Sequence, residues 1–132
     1  MARQAAGTFK VEGWDEETYS ERGEGRKLTR ASVKQALSGD IEGAGRVEWL
    51  MCYQPDDTAE FVGLQCVDGK LGDRSGSFVM RSDGTFDGCE ARGELTVVPG
   101  SGTGDLGGLS GTGEFTAPMG SDARIELEYE LA

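Results

Sequence analysis

Histidine and asparagine are both absent from these 132 residues, and cysteine and proline occur only three times each. Without histidine there is no Ser-His-Asp triad, no Cys-His pair and no imidazole metal ligand. Any proton transfer would fall to Asp, Glu, Tyr, Cys or Lys. Without asparagine there is no N-glycosylation sequon. The cysteines, Cys52, Cys66 and Cys89, are odd in number and show no CxxC spacing. They read as free thiols of a reducing cytoplasm rather than as disulfides or a zinc site. No metal and no cofactor is expected.

Positive charge is scarce as well. Thirteen Lys and Arg stand against 24 Asp and Glu, for a formal net charge of −11. No basic cluster exists, which argues against nucleic acid and against anionic membrane surfaces. The acidic excess reads as solubility. No apolar run approaches the ~18 residues of a membrane helix, and the opening MARQAAGTFK lacks the apolar core of a signal peptide. A cytoplasmic location is expected on these grounds.

Glycine, by contrast, is abundant: 22 residues, more than double the usual share of roughly 7%. Seven fall between Val97 and Phe115, in VVPGSGTGDLGGLSGTGEF. They interleave with β-branched and aromatic residues, so this is not low-complexity sequence. The length fits one domain, residues 1–132.

Alternation with period two recurs along the chain and is broken at Gly and Asp. It predicts strands over 7–14, 27–37, 41–54, 58–67, 75–81, 85–98, 109–117 and 124–131, with an acidic loop over 15–25. The pairs Asp68-Gly69 and Asp83-Gly84 read as hairpin turns. Eight strands with short connections favour an all-β fold, an eight-stranded antiparallel closed β-barrel, with an open sandwich as the alternative. Such a barrel either fills with side chains or holds one small ligand.

Several motifs carry little. The GxGxxG string from Gly102 to Gly107 is followed by a strand rather than a helix, so it is a glycine-rich turn and not a dinucleotide fingerprint. The acidic runs Asp15-Glu16-Glu17 and Asp56-Asp57 lack calcium-loop spacing and read as solvated loops.

The aromatics carry more. Phe9, Trp49, Tyr53, Phe61, Phe78, Phe86, Phe115 and Tyr129 all fall on parities that would turn them inward. They either fill the barrel or line a pocket for an apolar ligand. Arg30, Ser32, Gln65, Ser82 and Glu90 are polar candidates at matching parity, whereas Glu48 is a surface group. Two orientations stay open for Arg30: inward onto an anion or carbonyl, or outward onto an acidic neighbour. If chemistry occurs, Arg30 and Tyr53 would polarise a carbonyl. Gly43, Gly45 and Gly63 would leave room on the inner face. The outward parity carries Leu50, Val62, Leu64 and Cys66, a stripe of the kind that marks an interface, so a dimer or trimer is expected.

The segments GTFKVEGWDEE, KLTRASVKQALSGDIEG, RSGSFVMRSDGTFDG, ARGELTVVPGSGTGDLGGLSGTGEF and IELEYEL resemble an uncharacterised bacterial family grouped with the allene-oxide-cyclase-like and dirigent-like β-barrels. The resemblance covers nearly the whole chain. It implies a barrel with a cavity open at one end, holding an apolar or reactive small molecule, as a cofactor-free cyclase or isomerase or as a binding barrel without chemistry. Gln65 and Ser82 stand where that pattern carries an acid and a histidine, a departure that removes two titratable groups.

Overall fold

The computed structural model describes residues 2–118 and 122–131. Eight strands form a closed antiparallel barrel: β1 (Arg3–Gly23), β2 (Arg26–Gly39), β3 (Ile41–Tyr53), β4 (Ala59–Leu71), β5 (Arg74–Phe86), β6 (Glu90–Val97), β7 (Leu109–Pro118) and β8 (Ala123–Leu131). Each strand pairs with its neighbour in sequence, and β1 closes the ring against β8. The barrel expected from the alternation is therefore the fold.

The inner face collects the apolar parity of every strand. Val47, Trp49 and Met51 of β3, Phe61 and Val67 of β4, Phe78 and Met80 of β5, and Ile125, Leu127 and Tyr129 of β8 are all buried. Burying a side chain of this size removes apolar surface from water at about 25 cal/mol per Å². One end is stoppered by the glycine-rich connection after β6. There a single 3-10 turn, Gly104–Leu106, drives Leu106 into the core, fully buried. Ser77 N and Oγ both bond Thr103 Oγ1, at 3.1 and 2.6 Å, and pin this connection to β5.

Three expectations are corrected. First, the acidic stretch 15–25 is not a loop: β1 continues through it to Gly23. Beyond Phe9, its pairing with β8 ends and it runs on against β2 alone. β2 is paired with β3 over the same length, so this part of β1 is an edge strand of the barrel wall with one free side. Register shifts at Val11/Gly13, Thr18/Ser20 and Glu21/Gly23 break that edge, which keeps it from templating another strand.

Second, Asp68-Gly69 and Asp83-Gly84 lie inside strands, and the turns fall at Gly72-Asp73 and Asp87–Cys89. Sheet pairing decides this. β4 is matched along its whole length, from Ala59 opposite Phe86 to Leu71 opposite Arg74. A turn at Asp83 would strand the backbone groups of 59–61 without partners. A Cβ on Gly69 would overlap the Glu42 carbonyl oxygen, and one on Gly84 that of Arg92. These glycines serve close approach between strands rather than turning. The real turn is held by Asp87, whose Oδ1 accepts from the backbone N–H of Cys89 and of Glu90 at 2.8 and 2.9 Å.

Third, the inner glycines leave no room. A Cβ on Gly63 would overlap the Glu48 carbonyl oxygen and reach within 2.7 Å of the Trp49 ring. One on Gly45 would lie 2.8 Å from Leu37 Cδ1. Neighbours have already filled these spaces.

Candidate ligand cavity

Free volume lies instead at the end away from Leu106. A cavity of about 370 Å³ opens there, walled chiefly by Phe9, Trp49, Met51, Phe61, Phe86 and Phe115, with Val11, Ala91 and Ala117 completing the apolar surface. Its aromatic rings form one cluster. Trp49 meets Phe61 edge to face at 4.7 Å between centroids, and Phe115 lies 6.0 to 6.2 Å from Trp49, Phe61 and Phe9. Edge-to-face and offset contacts of this kind hold the rings in fixed orientations.

Six of the eight aromatic candidates, Phe9, Trp49, Tyr53, Phe61, Phe86 and Phe115, line this cavity. Phe78 and Tyr129 point inward but belong to the packed core outside it. Tyr129 Oη lies near Gly72, at the turn between β4 and β5.

The polar candidates divide. Gln65 is buried and donates from Nε2 to Gln35 Oε1 at 2.6 Å. Gln35 in turn lines the cavity. The two side chains meet across β3 over Gly45, where a Cβ would press on Gln35 Oε1. With its oxygen engaged, Gln35 has its NH₂ group left to offer a ligand. Ser82 is fully buried and its hydroxyl has no partner among the described residues.

Arg30 and Ser32 face outward, which selects the outward alternative for Arg30, removes it from the ligand site, and corrects the inward placement of Ser32. The inner parity of β2 is Thr29, Ala31, Val33, Gln35 and Leu37; Val33 and Leu37 gain from burial and take Arg30, Ser32 and Lys34 to the solvent side. Arg30 Nη2 bonds Glu48 Oε1 at 3.1 Å, with side chains 58% and 52% exposed. Arg30 is thus unable to reach a ligand in the barrel. Glu90 is corrected in the same way. β6 turns Gly93, Leu95 and Val97 inward, so Glu90 shares the other face with Arg92 and pairs with it.

The mouth holds an arrangement that the sequence reading assigned to a solvated loop. Glu16, carried by the extended β1, accepts three hydrogen bonds: from Trp14 Nε1 at 2.9 Å, Thr29 Oγ1 at 2.7 Å and Tyr53 Oη at 2.8 Å. Trp14 and Tyr53 both line the cavity. Partial burial by itself would raise the Glu16 pKa, but these bonds and the charge of Lys27 outweigh it and hold the carboxyl below its usual value. The Tyr53 hydroxyl is pushed up, by burial first and then by its bond to Glu16 and that group's charge. Lys27 Nζ stands 5.0 Å over the Tyr53 ring. Alternation from Phe9 and Val11 would send Trp14, Glu16 and Thr18 outward; the register shift between Val11 and Gly13 reverses the parity and sets them opposite Val33, Ala31 and Thr29 of the inner face.

Comparison with known proteins fits this architecture. A family described as a protein of unknown function, DUF3224, matches residues 5–129. The chain belongs to the DUF3224 family. Among solved structures, a DUF3224 protein of unknown function from Shewanella oneidensis MR-1 is similar over 100% of this chain and 99% of its own, with a TM-score of 0.84 and 29% identity. No curated protein matches.

Proposed function

We propose that this DUF3224 barrel binds a small apolar molecule in its open end. The observation that carries this reading is the cavity itself, about 370 Å³ in volume and walled by aromatic rings around one inward amide. That volume and polarity match small-molecule sites, which run from about 300 to 1,000 Å³ and carry few polar groups. The free state of Cys52, Cys66 and Cys89 supports a reducing, cytoplasmic setting.

The test uses N-phenylnaphthylamine, an apolar dye that brightens in dry sites. Saturable binding is expected, and Ala91→Phe, which puts a ring into the cavity wall, should weaken it by about tenfold or more, the equivalent of ~1.4 kcal/mol. A folded Ala91→Phe protein with unchanged affinity would place the dye elsewhere and sink the reading.

A cofactor-free cyclase or isomerase is the second reading, and Gln35 favours it. Its NH₂ group is a hydrogen-bond donor in an otherwise apolar wall, placed to polarise a substrate carbonyl. Tyr53 suits that role poorly, since its proton is directed at Glu16. The resemblance to allene oxide cyclases supports the same reading. Gln35→Met discriminates: a binder keeps its ligand, whereas a catalyst loses turnover.

A further inference from the structure

Among the described residues no basic side chain is buried in the barrel. Among the cavity's lining residues none is charged, and its polar members are Gln35 and Tyr53. Glu16 is the carboxylate bound directly to two of those lining residues, Trp14 and Tyr53. Aromatic faces carry negative charge at their centres and attract cations, most strongly when water is excluded. Trp14 and Tyr53 bring such rings to the mouth, and Trp49, Phe61 and Phe115 cluster behind them. The mouth already draws in an ammonium of the chain itself, since Lys27 Nζ stands over the Tyr53 ring. The excess of acidic residues, net −11 over the chain, favours the approach of cations and opposes that of carboxylates such as fatty acids.

We propose, resting on the binding function above, that the preferred occupant is an apolar organic cation, an amine or quaternary ammonium on a hydrophobic body. Its charged group sits at the Trp14–Glu16–Tyr53 mouth and its body among Trp49, Phe61 and Phe115. Glu16 has three of its lone-pair directions engaged by the protein, and a carboxylate offers about four. One remains for an ammonium N–H. A quaternary ammonium would use the ring faces alone.

The experiment compares three probes of one shape by calorimetry: protonated naphthylmethylamine, neutral naphthylmethanol and anionic naphthoate. The alcohol reports the apolar cavity, and the amine-to-alcohol ratio reports the cation preference. We expect the amine to bind about tenfold tighter than the alcohol, and naphthoate to bind weakest. Glu16→Gln should collapse that ratio toward one. Glu48→Gln, which removes the same charge on the outer surface, should keep it. Lys27→Met removes the resident ammonium and should raise it. An alcohol that binds as well as the amine, or a ratio unmoved by both Glu16→Gln and Lys27→Met, overturns the cation preference and leaves the apolar cavity standing. Failure of all three probes to bind overturns the cavity reading itself. Should Glu16→Gln not fold, the rise expected for Lys27→Met decides the matter.

Discussion

Tyr53 donates its hydroxyl proton to Glu16 at 2.8 Å across a sequence separation of 37 residues, and this bond ties β1 to β3 over the strand between them. Thr29 of β2 and Trp14 of β1 bond the same carboxylate. Three strands thus meet at one side chain, in addition to the ladders that join them.

That carboxylate gives this rim of the barrel a pH dependence. Its folded pKa lies below its ordinary value of 4.5, so the unfolded chain takes up a proton first as pH falls. The contribution of Glu16 is present above about pH 4.5 and is lost as pH drops through the lower folded value. In urea melts between pH 7 and pH 3, Glu16→Gln should lose less stability on acidification than the parent. Parallel curves for the two proteins would remove Glu16 from this role.

The Gln35–Gln65 pair should behave as a unit. Gln65→Leu leaves the Gln35 oxygen buried without its donor, which should cost about 1–3 kcal/mol in denaturant unfolding. The double change Gln35→Leu with Gln65→Leu should recover part of that loss, since neither partner is then orphaned. A double variant as unstable as the sum of its parts would argue that the amides contribute through packing instead.

Glycines on either side of the close-approach distinction should respond in opposite ways. Gly84→Ala drives a methyl into the Arg92 carbonyl and should leave no cooperative fold. Gly13→Ala meets nothing nearer than Lys34 Cβ at 3.9 Å and should stay within about 1 kcal/mol of the parent. Thermal melts of the two proteins measure the contrast.

The outer face of β3 and β4 keeps Leu50, Val62 and Leu64 about half exposed, beside the Arg30–Glu48 pair and Arg81. An apolar patch edged by both signs of charge suits pairing with its own copy about a two-fold axis, where each cation can meet the partner's carboxylate. We expect a dimer in light scattering at tens of micromolar, and a monomer for Leu64→Asp. A monomeric parent at that concentration would end this expectation.

The barrel was legible because strict alternation, as in Ile125, Leu127 and Tyr129, has only one inner face to choose. On β2 two parities compete, one carrying Arg30 and Ser32 and the other Val33 and Leu37, and the burial of Val33 and Leu37 decides which turns inward. An Asp-Gly pair has two uses, a turn or a close approach between strands, and only the partner strands decide between them. Sequence gives no sign that Gly84 faces the Arg92 backbone. Glu16 escaped notice because an acidic residue in an acidic run looks solvated until Thr29 and Tyr53, from two other strands, are brought to it.

The ring of strands is stitched by hairpins everywhere except at one seam. Where Arg3–Phe9 meets Ala123–Tyr129, the two ends of the chain must find each other across the full length of the molecule. Loop-closure entropy makes that contact the slowest to be rewarded. Folding should therefore run as a growing meander that zips shut last at this seam. In the native state, amide protons on Gln4 to Thr8 should exchange with solvent before those of the β3–β4 hairpin, so the barrel breathes along the line where it was sewn.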